Sequence, residues 1–144
     1  MNYPQRIVCI TEETTETLYA IGAEDRIVGI SGFTVRPERA RKEKPKVSVF
    51  TSAKIGRILE LKPDLVIGFS DMQADIAAEL VRNGVAVHIF NQRTVAGILS
   101  MIRTLGGMLG LSAKTDAYAH ELGARVEQVR FERARTDRPR VYFE

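Results

Sequence analysis

A set of residues with the chemistry to hold a ligand recurs at equivalent places along this chain. Glu12 follows a first short apolar run, Phe33 and Arg36 follow a second, and Phe50 ends a third. Phe69, Ser70 and Asp71 follow a fourth, and Asn91, Gln92 and Arg93 follow a fifth. If the runs are parallel strands, these groups share the rim at their carboxyl ends, where open α/β sheets hold ligands. The rings offer packing faces, and the guanidinium groups of Arg36 and Arg93 suit carboxylates or phosphate. Each residue also has a plainer reading: Phe50 and Phe69 cap the apolar core, and Arg36 and Arg93 are solvated. Phe33, in a polar loop beside Gly32, is the best exposed contact. Glu12 and Glu13 open a helix, where a carboxylate gains about 0.3–1 kcal/mol from the N-terminus. Their functional alternative is contact with a cationic or metal-bearing ligand, whereas Glu16 falls at an internal helix position.

The elements that must position these groups alternate between strand and helix. Strands are expected at Arg6–Ile10, Ile27–Ile30, Val47–Phe50, Leu65–Gly68 and Val85–Phe90. Several are apolar on both faces, as in parallel sheets covered on two sides. Helices are expected from Glu13 to Ile21 with Gly22 as the stop, from Ala53 to Leu61 capped by Thr51 or Ser52, from Met72 to Arg82, and from Thr94 to Leu109. Lys62-Pro63-Asp64 breaks the second helix and leads straight into a strand. The fold class is α/β: a doubly wound, mainly parallel, Rossmann-like sheet. From Ser112, read as a cap, a helix runs to about Arg135, roughly 35 Å at 1.5 Å per residue. Arg140 to Phe143 reads as the start of another strand. The expected division is an α/β ligand-binding lobe over 1–111, a spine helix over 112–136, and the start of a truncated second lobe over 137–144.

Composition narrows the function. The chain has 144 residues, 44% apolar and 27% charged, with a net charge of +3. That describes one ordinary globular domain. The arginines between Arg125 and Arg140 are interrupted by Glu127, Glu132 and Asp137, which reads as a solvated helix face and no nucleic-acid site. Cys9 is the sole cysteine and reads as a core residue. No apolar run has the length of a membrane span. His88, within the fifth strand, reads as a buried, hydrogen-bonded residue. His88 and His120 stand far apart, with no zinc-type spacing around them. Gly-x-Ser-x-Gly, P-loop and Gly-x-Gly-x-x-Gly motifs are absent, so no catalytic residue is assigned and the reading is not an enzyme. Gly106 and Gly107 lie late in a helix and suit close helix packing.

The ordered segments resemble the helical-backbone (class III) substrate-binding proteins of ABC transporters. The resemblance rests on Arg6 to Ile10, Thr15-Glu16, and Gly22-Ala23-Glu24-Asp25-Arg26-Ile27-Val28-Gly29. It continues through Ile58 to Val66, Gly84 to Val87, and the helix from Ser112. It implies an interlobe cleft for a corrinoid, haem or ferric siderophore as ligand, with no covalently bound cofactor, and delivery to a transporter permease. The aromatic rim residues would then pack on a corrin, porphyrin or chelate. Two positions depart from the pattern. Glu12-Glu13 replaces the usual Pro-Ser, and Gly56 stands where a glutamate docks onto transporter arginines.

Other readings are a cytoplasmic relative that senses or stores a cofactor, and a chelatase-like enzyme pairing a histidine with a carboxylate in the cleft. The periplasm follows from the resemblance. The cytoplasm follows if Met1 is the native start, since no signal-peptide pattern precedes the first strand. An uncovered spine helix and an unpaired strand from Arg140 would favour a homodimer. Light scattering should therefore show concentration-dependent dimerisation of this chain; a monomer at every concentration contradicts it.

Overall fold

The computed structural model describes residues 3–134, 136 and 139–142. Six strands form one sheet: β1 (Ile7–Cys9), β2 (Ile27–Ser31), β3 (Lys46–Val49), β4 (Ser52–Ala53), β5 (Leu65–Phe69) and β6 (Val87–Phe90), in the order β4-β3-β2-β1-β5-β6. All neighbours pair in parallel except β3 and β4, which are antiparallel. The chain moves outward from β1 through β2 and β3, then returns to place β5 on the other side of β1. The reversal lies between β1 and β5, where ligands settle in such sheets.

Alternation along the central strands feeds two cores. Ile7, Cys9 and Ile67 face Leu18 of α1 (Glu12–Ala20) and Ile102, Leu105 and Leu109 of α5 (Val95–Leu109). Val8, Ile10 and Val66 face Ile58 of α3 (Ile55–Glu60) and Ile76 and Leu80 of α4 (Ala74–Arg82). Each fully buried aliphatic side chain contributes about 1.5–3 kcal/mol. Cys9 is a core residue, and burial pushes its thiol up to about 12. Asp64 locks the turn before β5: its carboxylate accepts the Gln5 and Arg6 N–H groups at 2.7 and 2.9 Å. Arg6 in turn donates to the Leu61 carbonyl at 2.6 Å. Arg26, just before β2, donates to the carbonyls of Leu109 at 2.8 Å and Pro4 at 3.2 Å.

Several expected boundaries move. The helix expected from Ala53 begins at Ile55, because Ser52–Ala53 folds back as β4 and Lys54 N–H bonds the Val47 carbonyl at 2.8 Å. Neither Thr51 nor Ser52 caps α3; its N-cap is Lys54. A short helix not anticipated, α2 (Glu38–Glu43), precedes β3. The helix expected from Met72 opens with a 3-10 turn, Asp71–Gln73, before α4. Ser112 is the first residue of α6 (Ser112–Arg133) and not its cap; Leu111 holds that place without a side-chain bond. Arg140 to Tyr142 form no strand, and Phe143 lies outside the described residues, as does Arg135.

α6 spans about 33 Å at 1.5 Å per residue. Its first half packs on α5 through buried Thr115 and Ala119, with Tyr118 and Leu122 partly covered. Further along it emerges from the fold, and Val129 and Phe131 are 57% and 84% exposed. Its arginines pair along the helix, Arg125 with Glu121 and Arg130 with Glu127. The α5–α6 contact depends on Gly106. A Cβ there would lie 1.7 Å from Thr115 Oγ1 and 2.6 Å from Thr115 Cβ, whereas at Gly107 it would meet nothing within 4 Å. Gly106→Ala should therefore force the helices apart and cost about 3 kcal/mol, while Gly107→Ala should gain about 0.5–1 kcal/mol. Chemical denaturation of the two variants checks the opposite signs.

Candidate ligand-binding site

The rim at the sheet reversal is tied together by one buried side chain. Gln73 is fully buried. Its Oε1 accepts the Phe69 N–H at 2.9 Å, and its Nε2 donates to the carbonyls of Ile10 at 3.1 Å and Phe50 at 2.9 Å. One amide thus joins the ends of β1, β3 and β5. Gly68 makes room for it, since a Cβ there would stand 2.5 Å from Gln73 Oε1. Ser70 turns the chain out of β5 with φ +66 and ψ 169. That region is sparsely populated for residues with a Cβ. Three bonds hold it: Ser70 N–H to the Phe90 carbonyl at 2.7 Å, Gln73 N–H to the Ser70 carbonyl at 3.2 Å, and Met72 N–H to Ser70 Oγ at 3.4 Å.

Above this tie lies a cleft of about 630 Å³. Phe50 and Phe69 form one wall, and Val95, Ile98 and Met101 of α5 form another. The polar lining comes from Glu12 and Glu13 at the start of α1 and from Gln92, Arg93 and Thr94 before α5. Thr94 caps α5, its Oγ1 accepting the Gly97 N–H at 3.0 Å. The Arg93 guanidinium lies 5.1 Å from the Phe69 ring centroid and 3.8 Å from Asp71. Gln92 donates to Glu13 Oε1 at 3.4 Å. Burial, and then the neighbouring Glu13, hold the Glu12 carboxyl above its ordinary range. The arrangement offers flat apolar walls and a polar edge, which suits holding a planar ligand.

Of the residues singled out from sequence, Glu12, Phe50, Phe69, Gln92 and Arg93 meet in this cleft. Ser70 and Asp71 form its flank, with the Ser70 side chain turned into the backbone. Asn91 lines an adjoining hollow of about 270 Å³ with His88 and Phe90. His88 is half-buried there, its ring edge-on to Phe90 at 4.3 Å, and not the buried core residue expected. The lining of that hollow holds no carboxylate. Phe33 and Arg36 lie elsewhere. Phe33 is 55% exposed, and Arg36 pairs with Glu16 at 3.3 Å in a hollow beside Tyr19 and Tyr118. Arg41 holds that loop outward, donating to the carbonyls of Gly32 and Thr34 at 2.7 Å each. Ile98 and Met101 were not singled out, because at helical spacing they carry the same signal as core residues.

The sequence profile described as periplasmic binding protein matches residues 7–144. The chain belongs to the periplasmic binding protein family. Among relatives of this binding protein, a vitamin B12-binding protein of Vibrio campbellii is 32% identical over 102 residues, which is 70% of this chain and 37% of that protein. A cobalamin-binding protein of Halobacterium salinarum is 26% identical across 97% of this chain and 39% of its own length. A periplasmic heme-binding protein of Pseudomonas aeruginosa superposes with a TM-score of 0.80 at 26% identity, covering 87% of this chain and 45% of that one. The chain thus spans less than half the length of each of these relatives, and the mainly parallel α/β sheet followed by a long helix, read from the sequence, is the fold observed.

Gln73→Leu fills the same space but leaves the Phe69 N–H and the Ile10 and Phe50 carbonyls unpaired. The expected loss is about 3 kcal/mol, seen as a melting temperature roughly 10 °C lower. A shift under about 2 °C would show that the tie is dispensable.

Proposed function

We propose that this binding protein holds a metal chelate, such as a corrinoid, a haem or a ferric siderophore, for ABC-type uptake. The cleft at the sheet reversal carries the proposal. The rings of Phe50 and Phe69 make one of its walls, and its place is the one that ligands take in open α/β sheets. The names of the relatives, which bind vitamin B12, cobalamin and heme, support the ligand class. In this reading residues 1–111 are one ligand-binding lobe, 112–136 the spine, and 137–144 the approach to a second lobe that supplies the facing half of the cleft. The relatives' greater length supports that division. We place the protein in the periplasm, following the family.

Delivery to a permease is part of the same proposal. Gly56 is exposed on α3, and a side chain there would meet nothing within 4 Å. The surface is open at that position but carries no charge for transporter arginines, so docking would rely on other contacts.

Thermal melts of this chain with cyanocobalamin, hemin and a ferric hydroxamate test the ligand. At ten times the dissociation constant, a true ligand adds about 1.4 kcal/mol, a rise of roughly 4–5 °C. Phe69→Ala should weaken that ligand at least about tenfold, or about 1.4 kcal/mol. An unchanged melting temperature across the panel at saturating concentration overturns the proposal.

A further inference from the structure

The polar lining of the cleft is unbalanced. Glu12 and Glu13 bring two carboxylates and Arg93 one guanidinium. Asp71 shares that guanidinium at 3.8 Å, and the Phe69 ring occupies one of its faces. Gln92 adds a carboxamide whose Nε2 is committed to Glu13. Its Oε1 is buried and has no partner. Reversing the amide would set oxygen against carboxylate, so this orientation is the favoured one. The cleft therefore presents two carboxylates against one guanidinium that Asp71 already shares, between apolar walls that strengthen electrostatic terms. The upward shift of the Glu12 carboxyl has the same origin, burial beside a second carboxylate.

We infer that Glu12 and Glu13, the latter held by Gln92, are specificity residues: they favour a flat ligand whose edge donates N–H groups from neutral amides, and they disfavour the same frame bearing free carboxylates. An amide edge supplies N–H donors to the two carboxylates. An acid edge places like charges together, and mismatches of charge are discriminated more strongly than differences of shape. The inference rests on the reading of the cleft as the ligand site. Within that reading it orders the ligand classes: amide-edged corrins ahead of haems with their propionates and ahead of polyanionic catecholate chelates.

Two corrins of one ring and one metal separate the cases: dicyanocobinamide, with side-chain amides, and dicyanocobyrinic acid, with side-chain acids. Calorimetric titration of this chain at neutral pH should give at least about tenfold tighter binding of the amide corrin, or about 1.4 kcal/mol. In Glu12→Gln/Glu13→Gln the ratio should fall below about threefold. In the unmodified chain, raising the salt from about 0.05 to 0.5 M should narrow the ratio by screening. That second measurement decides the matter if the double variant does not fold. Equal or tighter binding of the acid corrin, or a ratio unmoved by both the variant and salt, overturns the inference and leaves the ligand site standing. If neither corrin binds but hemin does, the inference again falls alone. If no chelate binds, both fall.

Discussion

One buried amide organises the cleft end of this protein. The carboxyl ends of parallel strands leave backbone groups without sheet partners, and those groups must be paired where water is excluded. Gln73 pairs three of them, on Ile10, Phe50 and Phe69. The 3-10 turn that carries Gln73 follows from the turn at Ser70, and the room for the amide follows from Gly68. The cleft wall is thus set by backbone bonds beneath it. Phe50 shows the effect most clearly. It leaves β3, two strands from β1, yet its carbonyl and that of Ile10 share the same amide nitrogen donor. Without that bond nothing in the sheet order would bring Phe50 to the cleft that Phe69 lines.

The opposite end of the architecture rests on steric contact. α5 and α6 approach so closely at Gly106 and Thr115 that their relative position is fixed over the first turns of α6. Beyond Leu122 the helix continues with little of the fold beside it, and Val129 and Phe131 face outward. A stiff rod anchored at one end is a good means of holding a second body at a set distance, because a helix resists bending far more than a loop of equal length.

Much of this was legible in the sequence. Runs such as Val8-Cys9-Ile10 and Leu65-Val66-Ile67, alternating with helical periods, announce a parallel sheet covered on both sides. What escaped did so for physical reasons. α2 is charged around most of its surface, with Ala40 its one buried residue, so it shows no apolar period. Thr51 and Ser52 have the chemistry of helix caps, but the tight turn after Val49 spends Ser52 on an antiparallel pair instead. At the site, Phe50, Phe69, Gln92 and Arg93 could be placed from strand ends alone. Phe33 could not be excluded, because the Arg41 bonds to the Gly32 and Thr34 carbonyls depend on the shape its loop takes on folding, which no periodic pattern announces. Gln73 gave no signal either: a glutamine near a helix start is ordinary, and its value comes entirely from which backbone atoms surround it.

The tie at Gln73 uses two carbonyl oxygens and one amide N–H, and no side chain other than its own. Isoleucine at position 10 and phenylalanine at 50 and 69 are therefore incidental to the bonds they make. Replacements at 50 and 69 would alter what the cleft meets while the scaffold beneath stays as it is. Framework and preference are separately heritable in such an arrangement. On the proposed ligand reading, a lineage can exchange one cargo for another by drifting at the rim, with the cost of each trial confined to the surface that the cargo touches.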